Sequence, residues 1–450
     1  MTDTMFFLNR LAAEPHALAF GGQSTPWTVA LADQTTDPML EASLKDHVAA
    51  ANRLLTPVSA DLLAANGRPV DLFGFDANPA KLGPAADAAA SVPGIALAQL
   101  GALLGMAGLG YDPAAAKPAA VLGHSQGVLA VHMVQAAMAA GSIEAAAEQI
   151  DEILAIAQLI GVAGARQTKL IALNAKVGEA TPMLSVKGAT VKQVEALIER
   201  VAMPRGPISI AVTNAADNQV LSGYPEDLAS FVTEAEKEHK HQAKLREEKV
   251  RGGSVFNPVL EYLEVTLPFH SPLMADAVEQ TVAWAQACGL DGDRARALAD
   301  EVLVNHVDWA ARVHDLIDAT DPTKLWVVDM GPGATAGKLI SANVQGTGVG
   351  IVEATTGTER AALATLDGDP ERTQNWKDFA PSVIHTPAGD KIRTKFSELT
   401  GKAPVLLAGM TPTTVDPEIV AAAANAGYWA EIGGGGAGAR PVVGRDRGQV

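Results

Sequence analysis

The sequence predicts an α/β protein with a parallel-sheet core into which a small α+β subdomain is inserted. Three observations lead there. Short apolar runs are each followed by a glycine turn and then by helical apolar spacing, the pattern of strands that hand over to helices at a sheet's edge. Between about 181 and 267 the pattern changes to β-branched alternation broken by two helical stretches. Hydrophobic residues make up 48% of the chain and aromatics only 4%. Much of that apolar content is alanine, which suits helices packed closely on a sheet rather than a sandwich of aromatic pairs.

Taken in order, "HALAFGGQ" (16–23) is a short buried strand followed by a glycine turn. The spacing over about 38–64 and 91–109 is helical. "AAVLGHSQGVLAVHMVQAAMAAG" (119–141) runs strand, sharp turn, helix, with Gly141 as the helix stop. A further helix covers about 143–160. "TPMLSVKG" (181–188), "ISIAVTNAADNQVLSG" (208–223) and "LEVTLPF" (263–269) read as strands, with helices at 190–202 and 225–249 between them. "KLWVVDMGPG" (324–333) returns to a buried strand that ends in a turn. Residues 346–400 are rich in Thr, Asp and Pro and read as a connector. "APVLLAGMTPTT" (403–414) opens a new strand-turn-helix unit, and "YWAEIGGGG" (428–436) is its second strand. The expected divisions are 1–345 with the insert at about 181–267, then 346–400, then 401–450. The ending "VVGRDRGQV" has neither helix stop nor cap and reads as a cut inside something longer.

Bulk properties exclude several classes. A net charge of −17 argues against nucleic acid as a partner, since phosphate contacts need a basic field. The one cysteine, Cys288, permits no internal disulfide and no CxxC metal site, so a reducing, cytoplasmic setting and no metal are expected. The start "MTDTMFFLNR" lacks the basic lead and apolar core of a secretory signal. The runs of apolar residues suggest no membrane span.

Chemistry concentrates at Gly123-His124-Ser125-Gln126-Gly127, between an apolar strand and an apolar helix. Glycines on both sides of a serine let a strained turn expose the hydroxyl and bring the helix close against the strand. The amide after the serine then faces a developing oxyanion, aided by the helix N-terminus. A serine needs a base to take its proton. Among ten histidines, His124 would point away from the hydroxyl, and His132 belongs in the following helix. His270 sits in "TLPFHSPLM" between Pro268 and Pro272, which fix the backbone around an imidazole. On the residues alone, a packed structural histidine and a serine hydrolase both stay open.

Five motifs in order then carry a resemblance: "FGGQ" (20–23), "GHSQG" (123–127), "TNAADNQVLSG" (213–223), "PFHSPL" (268–273), and "NHVDW" with "DMGPG" (305–309, 329–333). The chain resembles the acyltransferase domains of fatty acid and polyketide synthases. It is most similar to the acetyltransferase domain of type I fatty acid synthases of the actinobacterial single-chain and fungal β-chain kinds. The resemblance covers about 15–345 and implies a hydrolase-like parallel-sheet core with a ferredoxin-like insert. It implies Ser125 as the acylated nucleophile, His270 as general base and acid, and the amides of Gln23 and Gln126 as the oxyanion hole. A backbone carbonyl near the strand before "DMGPG" is expected to orient His270, and Asn214 and Asn305 match supporting asparagines.

The implied reaction takes acetyl from acetyl-CoA to the phosphopantetheine thiol of acyl carrier protein, with no cofactor required and with CoA thioesters and the synthase's other domains as partners. Malonyl-specific relatives clamp the substrate carboxylate with an arginine before a glycine. Here Ile160 precedes Gly161 in that place, with Arg166 nearby, so acetyl is expected. The alternatives are a malonyl or longer-acyl transferase of the same family, a serine esterase or thioesterase, and an assembly module whose serine is silent. "VLLAGMTPTTVDPEIVAAAANAGYWAEIGGGG" (405–436) resembles the first strand-helix-strand of the flavin-dependent enoyl reductase barrel, the truncated start of a TIM-barrel-like domain. FMN is expected only where that domain is complete. "GPGATAGKL" (331–339) fails as a phosphate loop because Leu339 replaces the metal-binding hydroxyl, and "GGGGAG" (433–438) matches a dinucleotide pattern by chance. The basic stretch 236–251 is expected to be a solvated helix face.

Overall fold

The computed structural model describes residues 6–73, 86–173, 180–247, 256–387, 389–410, 414 and 416–433. The chain forms two compact units, Met1–Thr373 and Gln374–Val450. The first unit holds the strands β1 (His16–Phe20), β2 (Ala120–Gly123), β3 (Met183–Lys187), β4 (Ser209–Ala215), β5 (Asn218–Ser222), β6 (Val259–Tyr262), β7 (Val307–Asp308), β8 (Trp326–Asp329) and β9 (Gly350–Glu353).

Four of them make the parallel sheet, in the order β2-β1-β8-β9. Every residue of β1 and β8 is buried, as expected for central parallel strands covered on both faces. The helices Ala88–Gly108, Val128–Ala140 and Ala147–Leu170 pack around it. The last of these is displaced and longer than the sequence spacing implied. The elbow helix ends where expected: Gly141 takes φ +93° and its N–H closes on the Ala137 carbonyl. Against the expectation of no span, Ala88–Gly108 is long and apolar enough to cross a membrane, but it lies buried inside the unit. An uncharged helix of this kind is a core helix because apolar residues surround it on all sides.

The insert is the ferredoxin-like unit that was expected. Its order β6-β3-β5-β4, with helices Val191–Ile198 and Pro225–Glu247 between strands, is a βαββαβ arrangement. It has its own core, in which Leu184, Val194, Leu221 and Phe231 meet. Three details differ from the sequence reading. The stretch 208–223 is a hairpin rather than one strand, because Ala216 and Asp217 turn the chain between Ala215 and Asn218. The strand closing the insert is β6, not 263–269, where Pro268 and His270 impose an irregular path. β7, from the "NHVDW" motif, adds to β4 in parallel, so residues beyond 267 complete this sheet.

The segment 346–400 is not a simple connector. β9 extends the parallel sheet, and the following helix Gly357–Thr365 leads to Leu366, whose carbonyl accepts the Phe7 N–H. In the second unit, Ser382–Thr386 and Gly389–Arg393 form a hairpin. Strands Leu406–Leu407 and Trp429–Ala430 pair in parallel across helix Pro417–Asn425. That is the expected strand-helix-strand. The glycine run 433–438 lies outside them after Gly433.

Candidate active site

β2 delivers the chain to Ser125, which adopts φ +55° at the head of a short 3₁₀ turn leading into the elbow helix. A positive φ on a non-glycine costs about 1–3 kcal/mol and persists only where the surroundings enforce it. The flanking glycines supply closeness. A Cβ on Gly123 would lie 2.4 Å from the Val128 nitrogen, and one on Gly127 2.5 Å from the Phe20 carbonyl oxygen. Helix, elbow and β1 therefore touch backbone to backbone. Gly22, in the first glycine turn, abuts the same elbow: its Cβ would sit 2.8 Å from Ser125 Cβ.

His270, like Ser125, is a non-glycine at positive φ, +57°. Pro268 and Pro272 bracket it, and Ser271 N–H donates to the Leu303 carbonyl at 3.0 Å. The ring meets Ser125 across 145 positions of chain, with Oγ to Nε2 at 2.7 Å. Its Nδ1 lies 2.8 Å from the Asn305 carbonyl oxygen. A carbonyl only accepts, so Nδ1 carries the hydrogen and Nε2 accepts the Ser125 hydroxyl proton. Burial pushes the His270 imidazole down to about 3 despite that bond to Asn305, and the nearby Arg312 guanidinium lowers it further. At neutral pH the ring is an uncharged acceptor. The orienting carbonyl thus belongs to Asn305, ahead of β7, and not to the region of the strand before "DMGPG". Asn305 contributes its backbone rather than its amide.

Asn214, on β4, accepts from His124 Nε2 at 2.8 Å. The His124 ring stands edge-on to Trp309 at 5.2 Å, and Asn343 Nδ2 donates to the Asn214 carbonyl at 2.8 Å. Desolvation pushes His124 down to about 4, so it donates as a neutral ring. Asn214 thereby ties the elbow to the insert, and among the described residues it makes no hydrogen bond to His270. The side chains of Gln23 and Gln126 bond to each other at 2.6 Å, and Gln23 also donates to Ser91 Oγ at 3.0 Å. That bond brings together the two residues expected to form the oxyanion hole.

The "DMGPG" motif holds the glycine turn from behind. Asp329 carboxylate oxygens accept from Gly331 N at 2.9 Å and Gly337 N at 2.6 Å, and the Gly331 carbonyl accepts from Gly21 N at 3.0 Å. Burial pushes the Asp329 carboxyl up to about 6. Gln99, buried in the central helix, donates to the Gly21 carbonyl at 2.7 Å. Sequence reading passed over Gln99 because a lone polar residue in an apolar helix carries no motif.

A cavity of about 430 Å³ is lined by Ser125, Val128, Glu301, Asn305, His306, Val307 and Arg312. Arg312, unremarked in the sequence, donates to the Gly123 carbonyl at 3.1 Å. Ile160 is fully buried in the apolar core and is not part of this wall. Arg166 is engaged with Gln280 at 2.9 Å.

Residues 182–262 match the family described as the fatty acid synthase central AT domain. The chain is 30% identical over 297 residues to the fatty acid synthase subunit beta of Saccharomyces cerevisiae, covering 58% of this chain and 14% of that protein. It spans 14% of the length of that protein and likewise 14% of the fatty acid synthase beta subunit aflB of Emericella nidulans. Among solved structures it superposes on MCAT from Mycobacterium tuberculosis with TM-score 0.52 at 20% identity, covering 78% of this chain and 99% of that one. A malonyl-transacylase bound to a type II polyketide acyl-carrier protein gives TM-score 0.51 at 14% identity, covering 78% and 99%. The first unit therefore has the fold of these transacylases, and the chain is similar to the acyltransferase region of fatty acid synthases.

Proposed function

We propose that the protein is an acyltransferase of fatty acid synthesis, which moves an acetyl group from acetyl-CoA to the phosphopantetheine thiol of an acyl carrier protein. The observation that carries it is the Ser125–His270 contact of 2.7 Å with His270 held by the Asn305 carbonyl. Ser125 Oγ attacks the thioester carbonyl while His270 Nε2 takes its proton. The amides of Gln23 and Gln126 receive the oxyanion, and collapse expels CoA thiolate, which recovers the proton from His270. The carrier's thiol then attacks the acyl-serine with its proton passing to Nε2, and Ser125 is regenerated. These steps need no metal or redox group. Carrier, CoA thioesters and the remaining synthase domains are the partners, in the cytoplasm, and FMN belongs to a complete following domain.

The acetyl reading rests on sequence order, in which Ile160 takes the place of the arginine of malonyl enzymes; its side chain lies in the apolar core and not in the wall of the Ser125 cavity. A specific observation favours malonyl as the second reading: the Arg312 guanidinium lines the cavity that holds Ser125. Glu301 shares that wall, which offsets the charge a malonyl carboxylate would meet. Intact-mass analysis after incubation with acetyl-, malonyl- and palmitoyl-CoA decides the substrate. An acetyl adduct absent from Ser125→Ala is expected. Preferential malonylation that Arg312→Ala abolishes establishes the second reading. Rapid hydrolysis with no transfer to pantetheine establishes an esterase.

A further inference from the structure

β2 is an edge strand. Among the described residues it pairs with β1 alone, and its other edge faces a groove of about 620 Å³. The groove's floor is the whole run Ala119–Gly123. One side comes from the elbow helix through Val131 and Gln135, the other from helix Trp309–Ala319 through Leu316 and Ala319. His124 N–H donates to the Phe20 carbonyl, so in the β1 register strand alternation turns Ala120 and Leu122 toward β1 and leaves the peptide groups of Val121 and Gly123 facing the groove. The Gly123 carbonyl is taken by Arg312 at 3.1 Å, and among the described residues no side chain hydrogen-bonds to the Val121 peptide groups. Parallel edges left open in this way are templates for an extended, amide-bearing chain.

The groove leads to the nucleophile. Val128, Glu301 and Arg312 line both it and the smaller cavity that contains Ser125. From Ala119 to Ser125 is six residue steps, about 20 Å of extended chain. Pantetheine is a thin, extended arm with two secondary amides in series and a thiol at its tip, the chemistry an open strand edge pairs with.

We propose that the outer edge of β2 is the track along which the pantetheine arm lies when its thioester reaches Ser125, its amides paired with the N–H and C=O of Val121 and the N–H of Gly123. This rests on the acyl-transfer reading above. The arm has two sources, CoA and the carrier protein, with the same chemistry.

The test fills the groove at exposed positions, with Ala319→Trp and Gln135→Trp, and compares a donor lacking the arm, p-nitrophenyl acetate, with S-acetylpantetheine and acetyl-CoA. For both thioesters, the kcat/KM ratio relative to p-nitrophenyl acetate is expected to fall at least tenfold. A parallel rise in KM for holo-carrier as acceptor assigns the track to both arms, and no rise assigns it to CoA's arm alone. An unchanged ratio, or a fall for acetyl-CoA but not S-acetylpantetheine, overturns the proposal. Hydrogen exchange on Ser125→Ala with pantetheine alone needs no turnover. Protection of 119–123 is expected, and its absence overturns the track. Wild-type chain that no thioester acylates sinks the transfer reading, and the exchange result still decides the groove.

Discussion

Gly22→Ala isolates the oxyanion geometry. A Cβ at that position lies 2.6 Å from the His124 carbonyl oxygen and 2.8 Å from Ser125 Cβ, where ordinary contact begins at 3.4 Å. Both obstacles belong to the elbow, which backbone contacts at Gly123 and Gly127 hold fixed. The glycine turn is therefore the part that moves, by about 0.8 Å, the difference between 3.4 and 2.6. A Gln23 amide set to bond an oxyanion at about 2.9 Å would recede to roughly 3.7 Å, beyond hydrogen-bond range. Loss of one such donor costs about 2.7–4 kcal/mol of transition-state stabilisation, or 10²–10³ in rate. The assay is the single-turnover rate of Ser125 acylation by acetyl-CoA, read by quenched intact mass, beside a thermal melt. A slow enzyme whose fold is intact is expected. A folded Gly22→Ala enzyme within threefold of wild type would falsify the placement of Gln23 at the oxyanion.

Other consequences are independent of that one. His270 and His124 are held neutral, at about 3 and about 4, so the unfolded chain binds more protons than the fold below about pH 6.5. Stability should fall with acidification by up to about 1.4 kcal/mol per pH unit for each ring. Urea titrations at pH 7 and 5 measure this, and a smaller slope in His124→Phe checks its share. Over pH 8 to 5 the acylation rate should show no inflection from His270. Asn214→Ala leaves the His124 donor unpaired and should cost about 1–3 kcal/mol in urea denaturation, with a smaller rate loss than Ser125→Ala. Ile160→Arg puts an unpaired cation into the core, so a large drop in Tm is expected rather than a clean gain of malonyl loading.

The site was legible where chemistry forces residue types into short runs. "GHSQG" announces its own geometry, because only glycines allow helix, strand and turn to approach at 2.4–2.5 Å. Prolines on both sides of His270 likewise betray a backbone fixed against helix and strand. What the sequence hid are groups without side-chain identity. The carbonyl that orients His270 could come from any residue, and that it is Asn305 follows from β7 docking beside β4, a pairing only two residues long. Arg312 was hidden for another reason: it lies on the exposed face of an amphipathic helix, where an arginine ordinarily means solvent.

The same distinction explains the misplaced boundary near 345. Thr, Asp and Pro dominate the composition beyond it, but composition averages over "GIVE", four residues that pair in register with all of β8. Without them β8, a fully buried strand, would become an open edge. Val349, Val352 and Leu363 are also buried beyond residue 345. At about 1.5–3 kcal/mol each, they represent roughly 5–9 kcal/mol, comparable with the entire stability of an ordinary domain. A chain ending at 345 is therefore expected to aggregate on expression, and one ending at Thr373 to fold and to acylate Ser125. Soluble, active 1–345 protein would show that the sheet closes without its fourth strand, and that the first unit's stability resides in the helices around β1 instead.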